Sequence, residues 1–142
     1  MDGETSDFYN SHSPQFIVMA LKHDDREIPE HADGYGKRTG DCGDTVEIFL
    51  TVTDLIIKQV NFRANGCIHT HACCNTLVYL AERRSIEEAW KIVPENIVEF
   101  LATLPEDHLH CAELATGALY LALSNYQGQR SPVERAISNN PD

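Results

Sequence analysis

From Thr45 the chain alternates strictly: Val46, Ile48, Leu50 and Val52 fall on one side, with Glu47, Phe49 and Thr51 between them. A period of two sends successive side chains to opposite faces, so this run is a half-buried strand. "TDLI" supplies a turn, and "IIKQVNFRANG" resumes alternation, with Ile57, Gln59 and Asn61 against Ile56, Lys58, Val60 and Phe62. The two runs therefore pair as an antiparallel hairpin, closed by Asn65-Gly66. Beyond Cys67 the period changes. "IHTHACCNTLVYLAERR" contains neither Gly nor Pro and ends in charged residues suited to a helix C-terminus, which places a helix near residues 68 to 83.

The flanks are helical as well. Residues 14 to 23, "PQFIVMALKH", make one short helix opening on a proline. Ser85 and Glu88 form a Ser-x-x-Glu box at the head of "IEEAWKI", Pro94 opens "ENIVEFLATL", and Leu104-Pro105 ends it. The last helix is expected from about Asp107 to Asn125, with Cys111, Leu114, Ala115, Ala118, Leu121 and Ala122 at helical spacing. Between the first helix and the hairpin, "DDREIPEHADGYGKRTGDCGD" is dense in Gly and reads as a long loop. One domain over residues 15–126 is expected, between a polar N-terminal segment, 1–14, and a polar C-terminal tail, 127–142.

Composition narrows the class of function. With 22 acidic against 11 basic side chains, the net charge of −11 opposes a phosphate backbone, and nucleic acid is not an expected partner. The first residues lack the basic and apolar regions of a secretory signal, and no run approaches a membrane span, so a cytoplasmic protein without a membrane partner is expected. Five cysteines in a reducing compartment stay free and serve metals or catalysis more often than disulfides.

Three of those cysteines stand at junctions. Cys42 precedes the first alternating run, Cys67 separates strand from helix, and Cys111 lies near the start of the last helix. Element ends can converge on one edge of a domain, and the start of a helix favours negative charge and hence metal binding. Asp44 and His110 accompany Cys42 and Cys111, offering a carboxylate and an imidazole beside three thiolates, a donor set that selects zinc or an iron-sulfur cluster. Plainer readings stand beside each. Cys111 opens the apolar stripe of its helix and packs as a small hydrophobe, Asp44 caps a turn, and His110 is a surface histidine. Cys42, in a Gly- and Asp-rich loop, gains little from burial.

"GDCGDTVEIFLTV", "VNFRANGC", "SIEEAWKI" and "LPEDHLHCAELATGALYLAL", in that order over residues 40 to 125, closely resemble the U-type iron-sulfur cluster assembly scaffolds, the NifU N-terminal and IscU-like family. The resemblance implies an α+β fold in which a small antiparallel sheet of about three strands packs against several helices, in agreement with the periodicities. It implies an assembly site of Cys42, Asp44, Cys67 and Cys111, with His110 as an alternate ligand or neighbour. The site would build a transient iron-sulfur cluster, two-iron by expectation, from iron and the sulfur of a cysteine desulfurase, and pass it to acceptor apoproteins. Such a protein is a carrier rather than an enzyme and is expected as a monomer or homodimer. Asp44, a harder ligand than a thiolate, would keep the cluster labile, and Gly40 and Gly43 would let Cys42 move. The alternative is a zinc-bound sulfur acceptor or desulfurase regulator, in which zinc fills the same positions.

Two stretches depart from the family pattern. Where small residues and serines are usual after the second cysteine, this chain has His69, His71, Cys73 and Cys74. On a helix Cys67, His71 and Cys74 share one face while His69 and Cys73 share the next, so at most one set faces the site; the plainer reading makes both cysteines packing residues. Where a lysine is usual before the His-Cys pair, this chain has His108, which puts chaperone recognition in doubt.

Overall fold

The structure, a computed structural model, describes residues 10–129. Helix α1 (Pro14–Leu21) comes first, followed by strands β1 (Gly34–Thr39), β2 (Thr45–Thr53) and β3 (Ile56–Asn65). Helices α2 (Ile68–Ala81), α3 (Ile86–Trp90) and α4 (Pro94–Leu101) follow, and a 3₁₀ turn (Glu106–His108) leads into α5 (Leu109–Gln129). The strands form one antiparallel sheet in the order β1-β2-β3, and the fold is the α+β class expected. Of the predicted polar ends, 1–14 and 127–142, residues 1–9 and 130–142 lie outside the described residues, while α5 runs on to Gln129, beyond the predicted Asn125 and into the predicted tail.

Val46, Ile48 and Leu50 of β2 pair with Ala64, Phe62 and Val60 of β3, so both strands turn one apolar face to the helices. The register shifts between Thr51 and Val52, where Val52 pairs with Ile57 and Lys58 is left over. That bulge corrects the simple alternation expected of β3: Ile57 and Val60, three residues apart, both point into the core. Asp54 and Leu55 turn the hairpin with φ of 53° and 64°, the paired positive values of a turn matched to strand twist. Its tip is docked, because the Ile86 amide donates to the Leu55 carbonyl at 3.0 Å and that of Ile57 to Arg84 at 2.9 Å.

The Gly-rich stretch is the main departure from expectation. Residues Gly34–Thr39, read as loop, are an edge strand laid across α5. The glycines are there for proximity: a Cβ at Gly36 would stand 2.4 Å from the carbonyl oxygen of Ala118 and from the amide of Ala122. Only the tight turn Gly40–Gly43 remains between β1 and β2, closed by a Gly43 amide donating to Gly40 at 3.0 Å and a Gly40 amide donating to Asp44 at 2.8 Å.

Helix α2 is the centre of the helical layer, with residues 72–78 all buried against α1, α4, α5 and β3. The buried Asn75 side chain donates to the carbonyls of Met19 (2.8 Å) and Lys22 (3.3 Å), satisfying the open end of α1. The Ser13 hydroxyl caps the other end, accepting from Phe16 at 3.0 Å and donating to Leu101 at 2.6 Å. The Ser85–Glu88 capping box forms as predicted. With α2 fixed on all sides, its first turn is held at the sheet edge where β2 begins and α5 starts.

Candidate metal centre

Three chain segments meet at that edge. The β1–β2 turn brings Asp44, the β3–α2 junction brings Cys67 as the N-cap residue of α2, and the first turn of α5 brings Cys111. One ligand atom from each lies within 4.8 Å of the other two. Cys67 is exposed, Asp44 half-buried and Cys111 buried, so the group opens to solvent on the Cys67 side with Cys111 as its floor. Burial pushes the Cys111 thiol up to about 11, so it is protonated at neutral pH and a metal bound there would have to displace that proton.

The residue that organises the three was not foreseen. The hydroxyl of Thr70, itself buried in the first turn of α2, donates to Asp44 Oδ2 at 3.0 Å. It also lies 3.4 Å from Cys111 Sγ and 3.8 Å from Cys67 Sγ. Thr70 thus touches all three candidate ligands, as the outer partners of metal ligands do. A glycine permits the contact: a Cβ on Gly66 would stand 2.9 Å from both Asp44 Oδ2 and Thr70 Oγ1. The signal in the sequence was a Thr three residues after the N-cap cysteine, legible only once the register of α5 is known.

Cys42 and His110 do not join that group. Cys42 is exposed in the turn, and the two residues line an adjoining cavity of about 300 Å³ with Arg38, Asp41, Glu113 and Leu114. His110 Nε2 lies 3.8 Å from Cys111 Sγ, the neighbour position rather than a place inside the triad. The extra residues of α2 divide differently from either predicted face. His69 turns to the site edge, its Nδ1 3.5 Å from Cys67 Sγ and its ring stacked at 3.8 Å on His108. His71 turns away, edge-on to Phe62 at 5.4 Å. Cys73 and Cys74 are wholly buried, and burial pushes both thiols far above the usual range, which matches the plainer reading of two packing residues.

The chain resembles known proteins over most of its length. The profile of the NifU-like N terminal domain matches residues 27–132. An iron-sulfur cluster assembly scaffold protein IscU from Archaeoglobus fulgidus is 33% identical over 107 residues, covering 75% of this chain and 70% of its own. The iron sulfur cluster assembly protein 1 of Trachipleistophora hominis is 32% identical over 111 residues, covering 71% and 80%. Among solved structures, a putative scaffold for the SUF system from Fervidobacterium islandicum superposes with a TM-score of 0.67 over 81% of this chain and 98% of that one, at 17% identity, a likeness of fold. The ordered Cys-Gly-Asp, Gly-Cys and His-Cys segments, the three-stranded sheet and the matched profile agree, and the chain belongs to the NifU-like N-terminal domain family.

Proposed function

We propose that this protein is a scaffold on which an iron-sulfur cluster is assembled and from which it is handed to acceptor apoproteins. The observation that carries the reading is the meeting of Asp44, Cys67 and Cys111, from three separate segments, at a solvent-open edge. Iron and sulfide are the cargo. Cys42 supplies the fourth ligand when the Gly40–Gly43 turn swings it inward. Gly43 sits at φ 91° with nothing within 4 Å of where a Cβ would be, so the turn has room to move. Four ligands serve a two-iron, two-sulfide cluster, two to each iron.

The exposure of Cys42 suits it to receive sulfur from a cysteine desulfurase. Its thiolate attacks the outer sulfur of the donor's persulfide; a new S–S bond forms on Cys42, and the electron pair of the broken bond leaves on the donor thiolate. Two electrons from an external reductant, a dithiol or a reduced ferredoxin, then cleave that S–S bond, so that sulfide leaves to iron held by Asp44, Cys67 and Cys111 and Cys42 returns to the thiolate. The carboxylate holds iron less firmly than a thiolate would, so the finished cluster is transferable. The protein acts as a carrier in a reducing cytoplasm, as a monomer or homodimer, and residues 15–126 are the scaffold unit. Among the described residues no helix is long and apolar enough to cross a membrane.

The test is anaerobic reconstitution with ferrous iron, cysteine and a desulfurase, followed by addition of an apo-ferredoxin. Visible charge-transfer bands that pass to the ferredoxin are expected. A colourless zinc protein that only accelerates the desulfurase would overturn the reading in favour of a zinc-bound sulfur acceptor.

A further inference from the structure

We propose that Cys67, His69 and His108 form a second metal site, which takes one divalent transition-metal ion through a thiolate and two imidazoles. Their ligand atoms lie within 4.8 Å of one another, as a group distinct from Asp44, Cys67 and Cys111. Tetrahedral bonds of about 2.0–2.1 Å to nitrogen and 2.3 Å to sulfur set neighbouring ligand atoms roughly 3.3–3.6 Å apart. Cys67 Sγ and His69 Nδ1 already stand 3.5 Å apart, both carried by the start of α2. His108 comes from the 3₁₀ turn ahead of α5, its ring 3.8 Å from that of His69 and inclined by 28°. Because imidazole lone pairs lie in the ring planes, holding one ion requires the two rings to turn out of this stack, with Cys67 Sγ and His69 Nδ1 already at ligand-to-ligand separation.

The chemistry of His108 points the same way. Its Nδ1 is 2.9 Å from the Asp107 carboxylate, which accepts a hydrogen bond from Nδ1–H and so favours the tautomer with the lone pair on Nε2. A carboxylate behind a histidine is the arrangement that orients an imidazole for a metal. Cys67 is exposed and both histidines half-buried, so an ion can enter while the rings remain packed on their outer sides, His69 against Phe16 at 5.8 Å. One sulfur and two nitrogens suit ferrous iron, zinc or cobalt and disfavour magnesium or calcium.

Cys67 belongs to both groups, so an ion on the imidazoles is held beside Asp44 and Cys111 by a shared thiolate. On the scaffold reading, on which this role rests, the imidazole pair is a waiting place for ferrous iron before sulfide arrives. Metal binding itself does not depend on that reading.

Cobalt(II) is the probe, added anaerobically to the full chain. Asp44→Ala/Cys111→Ala removes two donors of the other group and is expected to bind one cobalt per chain with thiolate-to-cobalt charge-transfer bands. Adding His69→Gln and His108→Gln should lower that affinity at least about tenfold. If Cys111→Ala costs the fold, Asp44→Ala alone serves, with X-ray absorption of the zinc-loaded chain expected to show two imidazole nitrogens that the histidine substitutions remove. Cobalt or zinc binding that ignores both histidines overturns the second site. Failure of the unsubstituted chain to assemble a cluster, with imidazole-dependent cobalt binding intact, would instead overturn the scaffold reading and leave this site standing.

Discussion

The first turn of α2 and its middle carry the same side chain to opposite ends. Cys67, at the N-cap, is exposed and shares a ligand group with Asp44 and Cys111; Cys73 and Cys74, within two turns of it, are wholly buried and held as neutral thiols. Position on the helix, not residue type, separates a candidate ligand from a packing group. The neighbouring α1, α4 and α5 enclose the middle of the helix and leave only its start at the open edge.

The largest effect expected from breaking this contrast is that of Cys67→Ser. It should abolish iron retention, read as iron per chain after gel filtration, while changing the unfolding free energy by no more than about 0.5 kcal/mol because the residue is exposed. Thr70→Val comes next. Without its hydroxyl the Asp44 carboxylate loses its donor, and zinc affinity in a competition titration should fall by about 10- to 100-fold with the fold intact. Cys74→Ser should behave as the inverse of Cys67→Ser: about 1–3 kcal/mol less stable in chemical denaturation, since a hydroxyl is placed among apolar neighbours, with metal content unchanged.

The last effect is of pH, and it is confined to the alkaline range. The folded-state Cys111 thiol titrates near 11 against an ordinary 9.0, so between those values the folded chain keeps a proton that the unfolded chain has lost. Stability of the metal-free chain should therefore fall as pH rises from 9 to 11, and fall less in Cys111→Ala, as urea midpoints across that range would show.

The contrast also shows what a sequence can carry. The period of two in β2, the change at Cys67, the Ser85–Glu88 box and Pro94 are local signals, and each produced the element expected. The strand β1 was hidden because Gly34 and Gly36 look like loop residues, whereas their reason is the closeness of α5, a partner more than 80 residues away in sequence. The bulge at Lys58 likewise broke a pattern that periodicity assumed. At the site, Asp44, Cys67 and Cys111 could be suspected because they sit at element ends. Thr70, and the choice of His69 over His71, depend on how the first turn of α2 is rotated against α5, which no single segment encodes.

Iron-edge X-ray absorption on the anaerobically reconstituted wild-type chain tests the cluster-holding group most directly. The expected result is iron in a sulfur-dominated shell with a second iron as neighbour, consistent with Asp44, Cys67 and Cys111 around a two-iron cluster. Iron bound only by oxygen and nitrogen, with no iron neighbour, would contradict it.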